Sequence, residues 1–320
     1  MEKGVLLLKY SHRIKAFHEC VDMEALLRHY FLVLEPSWTG YASLDFLAFA
    51  RYRDHPIVML TQFQGDREFL KTLGSNLVPI ELGPGDWVDP RVFRPLEREP
   101  KRYSAVMVAR WSYVKRHDLL LRALLRISDP TFRIALVAGN RADDADREGI
   151  LRAIASSGLS QQVDIFEDLA PGEVNRVLNQ SKVNVLLSRQ EGGNRALFEG
   201  FFAGVPGLAF RNHIGIRTAH FQSQTGRLID RAALAAELLH FRDHWSEFDP
   251  RPWAEAHITP EISTRHLNEF LLQRSRERGE PWTQDIAMKC NRPALNYYPD
   301  EEAGRDLPSI QALLHQFPPP

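Results

Sequence analysis

Ser188-Arg189-Gln190-Glu191-Gly192-Gly193-Asn194-Arg195-Ala196-Leu197-Phe198-Glu199 is the most informative stretch of this 320-residue chain. The apolar run Val183 to Leu187 reads as a strand that ends just before it. Asn194 to Ala203 reads as a helix that begins inside it, with Asn194 suited to the N-cap, Gly204 to the position past the C-cap, and Pro206 close behind. The stretch is therefore a strand-to-helix connection. In an open α/β sheet ligands bind outside the carboxyl ends of the strands, so position alone makes it a candidate site. Gly192 and Gly193 let a partner approach the backbone closely. The unpaired amides of the first helical turn, from Asn194 and Arg195 onward, suit an anionic or hydroxyl-rich ligand. Glu191 in the loop and Glu199 in the second turn could face one cleft from different depths. The plain alternative is a Gly-Gly turn beside a solvated helix carboxylate.

Working outward, the same strand-and-helix rhythm runs through most of the chain. Val5 to Leu8, Phe31 to Leu34, Ile57 to Leu60 and Val78 to Leu82 read as buried strands. Val21 to His29, Leu44 to Arg51 and Asp66 to Leu73 read as the helices between them. The breaker-rich run from Gly83 to Pro100 reads as a linker. Beyond it, strands are expected at Ala105 to Ala109, Ile134 to Ala138, Val163 to Phe166 and Gly207 to Phe210. Helices are expected at His117 to Ile127, Ala145 to Ser156 and Pro171 to Gln180. From about Pro260 the alternation stops, leaving a helix at Ser263 to Arg278, a polar stretch with Trp282, Tyr297 and Tyr298, and a last helix near Leu307 to His315. The expectation is an α/β protein of two doubly wound domains facing a cleft. Residues 1–95 with the returning segment 258–320 would form the first, a reduced one, and residues 96–257 the second.

Composition narrows the function classes. Hydrophobic residues make up 44% and charged residues 25%, with 40 basic against 41 acidic side chains. Those values exclude a disordered chain, a collagen-like fibre and a small disulfide scaffold, and give no global field to attract nucleic acid. Cys20 and Cys290 show no metal-ligand spacing and read as two thiols in a reducing compartment. The first residues lack a signal-peptide pattern and no apolar run spans a bilayer, so a soluble, cytoplasmic protein is expected.

A second cluster, Arg110-Trp111-Ser112-Tyr113-Val114-Lys115-Arg116-His117, follows the strand at Ala105. Arg110 and Lys115 are two cations in one strand-to-helix loop, enough to neutralise a diphosphate; the alternative is a solvated basic loop. Asp143-Asp144-Ala145-Asp146 reads as acidic bias at a helix start, not a metal site. Patterns of the dinucleotide-fingerprint, P-loop, zinc-protease and serine-hydrolase kinds are absent.

Together these segments resemble the retaining GT-B glycosyltransferases of the group 1 (GT4-type) family. The match runs through Arg110 and Lys115, then Ser188, Glu191, Gly192, Glu199, Gly204 and Pro206. Val88-Asp89-Pro90-Arg91-Val92-Phe93-Arg94-Pro95 resembles the family's interdomain segment, and Thr225-Gly226-Arg227-Leu228 the segment after its donor site. The resemblance covers roughly residues 61 to 230. It implies a nucleotide-diphosphate sugar as donor, no cofactor and no metal. Arg110 and Lys115 would hold the diphosphate, Glu199 the ribose hydroxyls and Glu191 the sugar. The amides of Gly192, Gly193 and Asn194 would bind sugar hydroxyls or the β-phosphate. Gly139 and the stretch from Phe166 to Leu169 would pack and hydrogen-bond the base. Fixed cations and helix amides around the leaving diphosphate amount to electrostatic catalysis.

The departures are as informative. Ala109 and Arg116 stand where the family has glycines flanking the arginine and lysine, and Gly193 stands where it often has an aromatic. Residues 1 to 60 lack the family's glycine-rich loop. None of His12, His18, His29 or His55 has the context of its histidine near the reacting carbon, although His12 has the best position. Two rivals to a retaining transferase follow: a non-catalytic nucleotide-sugar-binding partner protein, and a GT-B sugar epimerase. The acceptor stays open among saccharide, glycolipid and natural product, a peripheral membrane contact is compatible with the glycolipid, and the oligomeric state stays open.

Overall fold

The computed structural model describes residues 2–139, 146–291 and 310–319. Strands β1 (Gly4–Lys9), β2 (Tyr30–Glu35), β3 (Ile57–Leu60) and β4 (Leu77–Ile80) form one parallel sheet in the order β1-β2-β3-β4. Strands β5 (Ala105–Val108), β6 (Ile134–Ala138), β7 (Val163–Glu167), β8 (Asn184–Leu186), β9 (Gly207–Phe210) and β10 (Gly226–Ile229) form a second, in the order β10-β9-β8-β5-β6-β7. Read from its β7 edge, the second sheet has the doubly wound 3-2-1-4-5-6 order. That order reverses between β5 and β8, which opens a crevice beyond their carboxyl ends.

Helices α1 (Ser11–Cys20), α2 (Met23–His29), α3 (Leu44–Leu47) and α4 (Gln64–Thr72) accompany the first sheet. Helices α5 (His117–Ile127), α6 (Arg147–Ser156), α7 (Pro171–Asn179), α8 (Arg195–Phe202), α9 (Leu234–His244) and α10 (Pro250–His257) accompany the second. The chain then returns through α11 (Pro260–Glu277) and α12 (Ile310–Gln316). Leu267 and Leu271 of α11 pack with Phe31, Val33 and Val58 on one face of the four-stranded sheet. Leu313 and Phe317 pack with Ile14, Leu26 and Leu32 on the other.

Several elements depart from the sequence reading for local reasons. Helix α1 was not anticipated, because only Ile14 and Phe17 are buried on an otherwise polar run. Helix α2 begins at Met23 and not Val21, because the Asp22 carboxylate caps it by accepting from the Ala25 amide at 3.0 Å. The stretch 44–51 breaks into four residues of α3 and a 3₁₀ turn. Strand β4 contains Pro79, tolerated because β4 is an edge strand with one side unpaired. Asp143, Asp144, Ala145, Tyr297 and Tyr298 lie outside the described residues, as does the start of the last expected helix.

The breaker-rich run 83–100 is a packed strap. It forms a 3₁₀ turn at Pro84–Trp87, buries Trp87 and Phe93, and is pinned by Asn175 and Asn179 side chains that accept from the Arg94 and Leu96 amides at 3.1 and 2.8 Å. Gly85 lies so close to α8 that a Cβ there would fall 2.1 Å from the Phe198 ring. Cys20 is exposed, Cys290 is buried, and neither is in a disulfide. Among the described residues no helix is long and apolar enough to cross a membrane.

Candidate active site

The crevice between β5 and β8 collects charge from two loops. Beyond β5 the chain runs past exposed Arg110 into a 3₁₀ turn, Tyr113–Lys115, and then into α5. Arg116 joins the two in the left-handed conformation, at φ 62°. The backbone bend that glycine would give easily is therefore kept by an arginine, at the usual steric cost of a Cβ in that region. The bend aims Lys115 across the crevice. Its Nζ donates to both carboxylate oxygens of Glu191, at 2.6 and 2.7 Å.

Glu191 is fixed by the backbone on both sides. Its amide donates to the Ile214 carbonyl at 2.9 Å, and the Ile214 amide donates to the Arg189 carbonyl at 2.9 Å. Gly215, at φ +103°, permits this contact, since a Cβ there would fall 1.7 Å from the Glu191 carbonyl oxygen. Next to it the Ser188 hydroxyl meets His213 Nε2 at 3.3 Å. Burial, and then the Lys115 charge, push His213 down to about 4, so the ring is neutral at neutral pH. His117 is pushed to about 4 by the same two causes in the same order.

Asn194 caps α8 as expected: its side chain accepts from the Leu197 amide at 2.8 Å. The helix ends with Gly204 in the left-handed region at φ +75°. One turn inside α8, Glu199 is buried, and Arg195 donates to it from Nε at 2.8 Å. Burial raises the Glu199 carboxyl above the ordinary range, against the opposing pull of Arg195. A buried carboxylate with one cationic partner keeps lone pairs that a ligand hydroxyl can use.

The four-stranded half closes over this loop. A Cβ at Gly192 would fall 2.1 Å from the Ser37 carbonyl oxygen, and one at Gly193, where φ is +95°, 2.1 Å from the Gln62 side-chain oxygen. Gln190 Nε2 donates to Thr39 Oγ1 at 3.1 Å, and Arg217 forms an ion pair with Asp86 of the strap. The bare backbone at these glycines is thus approached by the other half of the chain.

The structure therefore brings together Lys115, Glu191, Gly192, Gly193, Asn194, Arg195 and Glu199, while Arg110 is exposed on the loop that leads to Lys115. Gly139 lies just past β6, where a Cβ would be 3.7 Å from a carboxylate oxygen of Asp168. Phe166 stands apart: it lies within β7, edge-on to Tyr103 at 6.2 Å. His12 is exposed at the start of α1, stacked with Tyr10 at 6.0 Å, while His18 is bonded to the Tyr52 hydroxyl at 3.1 Å. Sequence reasoning missed His213 and Gln62. Gly215, which lets the 213–216 loop touch Glu191, was the one signal available.

Residues 89–241 match the sequence pattern of the family described as glycosyl transferases, group 1. No curated protein sequence matches the chain. The fold is similar to that of sucrose-phosphate synthase from Thermosynechococcus elongatus, at 17% identity and a TM-score of 0.67 over 87% of this chain and 74% of that one. It is similar to Anabaena HepE in complex with UDP, at 12% identity and a TM-score of 0.67 over 84% and 79% of the two chains. The pneumococcal O-GlcNAc transferase GtfA, in complex with UDP and GlcNAc, matches at 15% identity and a TM-score of 0.55, over 80% of this chain and 53% of its own. Residues 89–241 thus carry the sequence pattern of the group 1 glycosyl transferases, within a chain whose two parallel sheets have the GT-B-like fold of the structures it resembles.

Proposed function

We propose that the chain transfers a sugar from a nucleoside-diphosphate donor to a hydroxyl acceptor, with retention of anomeric configuration. The observation that carries this reading is the meeting of Lys115 and Glu191, 76 residues apart, beyond β5 and β8 with Glu199 buried alongside. A UDP-linked hexose is the first donor to try, because HepE was solved with UDP-glucose and GtfA with UDP.

In this reading Glu199 accepts from the ribose hydroxyls. Lys115 leaves Glu191 to face the diphosphate, with Arg110 and the first amides of α8 beside it. Glu191, released, accepts from a sugar hydroxyl. The anomeric carbon–oxygen bond breaks with its electron pair passing to the β-phosphate oxygen. Fixed cations and amides stabilise that charge without reorganising. The acceptor oxygen bonds to the anomeric carbon from the same face, and its proton passes to the departing phosphate oxygen. Gly139 and the turn that follows β7 would flank the base, without the Phe166 ring.

Incubation with UDP-glucose, UDP-N-acetylglucosamine and GDP-mannose, with and without saccharide and glycolipid acceptors, tests the reading. Acceptor-dependent release of nucleoside diphosphate with an α-linked product supports it. Tight nucleotide binding without turnover would favour a binding partner protein, and an altered sugar formed without acceptor would favour an epimerase.

A further inference from the structure

Among the N-terminal side chains that reach the Glu191–Gly193 loop, Gln62 is exceptional. It lies two residues past β3, at the carboxyl end of the four-stranded sheet, and is 6% exposed. Its side-chain oxygen is buried and accepts no hydrogen bond. The amide is wedged between two glycines, Gly83 of the strap and Gly193 of the loop, each of which would clash with it if it carried a Cβ, at 2.2 and 2.1 Å. Its neighbours on the same seam are satisfied: the Ser37 hydroxyl by Ser11, and Thr39 by Gln190. A buried amide oxygen without a donor is an unfavourable arrangement that proteins rarely keep without a use.

We propose that Gln62 is the specificity-determining contact of the N-terminal half to the transferred sugar, its side-chain amide hydrogen-bonding a sugar hydroxyl held at the Glu191–Gly193 loop. This inference rests on the donor-site reading above. A carboxamide suits the task, because it offers an acceptor and two donors to a hydroxyl that is itself both. Glycine at 193 is what leaves room for the amide, so the contact is divided between the halves: bare backbone from one, a polar group from the other. Parting of the seam would admit the sugar, and its hydroxyl would supply the missing donor.

Calorimetry with UDP, UDP-glucose, GDP and GDP-mannose on the full chain and on Gln62→Leu tests this. The expected result is unchanged affinity for the free nucleotides and loss of about tenfold in the extra affinity the sugar confers, equal to about 1.4 kcal/mol. The thermal midpoint of Gln62→Leu should be at or above that of the natural chain, because the substitution removes an unsatisfied buried oxygen. A merely structural glutamine would give the reverse, a lower midpoint with sugar discrimination intact, and that result overturns the inference. Gln62→Asn, which keeps the amide but shortens its reach, should fold and show the same loss of discrimination; unaltered discrimination in it would equally overturn the inference. If the natural chain binds the nucleotides but no sugar adds affinity, the Gln62 contact is wrong and the nucleotide site stands. If it binds neither nucleotides nor nucleotide sugars, the donor reading itself fails and this inference with it.

Discussion

The two sheets share a parallel βα plan and differ in one topological respect. In the six-stranded sheet the order reverses between β5 and β8, so the connections leaving those strands diverge and a crevice opens. In the four-stranded sheet, among the described residues, the order is simply β1-β2-β3-β4, with no reversal. In the proposed function the first holds the donor. The second can act on it only by abutting the first, and its Ser37, Thr39 and Gln62 do so along the Gln190–Gly193 loop. Binding and sugar handling should therefore separate by half.

The strongest way to break that division is to wedge the seam. Gly192→Val places side-chain carbons against the Ser37 carbonyl, and should cut transfer about 100-fold, the scale on which lost positioning acts. UDP binding, which the proposed function assigns to the six-stranded half, should persist when measured calorimetrically on the same variant. Equal loss of both would show that the halves are not separable.

A smaller effect sharpens the charge arrangement within the crevice. Glu191→Gln removes the carboxylate that holds Lys115, freeing the cation for phosphate. UDP should bind more tightly, by about threefold, while kcat falls about tenfold for want of the sugar contact. A parallel fall in UDP affinity would mean that Glu191 and not Lys115 does the binding.

The six-stranded half should also be the more acid-sensitive. His117 and His213 are neutral in the fold, with values near 4, against an ordinary value of 6.5 when unfolded. Between those limits the unfolded chain binds more protons, so stability falls as pH falls, by about 2 kcal/mol per group at pH 5. The thermal midpoint should drop from pH 7 to pH 5, and His117→Phe should flatten that slope. An unchanged slope would place the sensitivity elsewhere.

Legibility in the sequence did not divide by half, since β3 at Ile57–Leu60 was also read to the residue. The helix at His117 and the strands at Ile134 and Gly207 were read to the residue, because leucines at helical spacing marked the first and compact apolar runs the other two. The cap at Asn194 and the left-handed Gly204 were legible from their residue types at the two ends of α8. Helix α1 was hidden, since two buried residues make no pattern. The seam was hidden too, because Gly192, Gly193 and Gly215 announce a close approach without naming what approaches. Gln62, beyond a short strand, carries no motif. The bend at Arg116 was masked by its residue type: an arginine there gives no hint of a left-handed backbone. The smallest prediction follows from it. Arg116→Gly should raise stability by no more than about 1 kcal/mol in a denaturant titration, the usual scale of a relieved left-handed residue.

In the proposed function the crevice beyond β5 and β8 holds a nucleoside diphosphate through Lys115 and Glu199. Calorimetric titration of UDP into the natural chain, Lys115→Ala and Glu199→Ala, each with its fold confirmed by circular dichroism, tests it most directly. Saturable binding to the natural chain and a loss of about tenfold or more in each variant are expected. Unaltered UDP affinity in both folded variants would contradict that assignment.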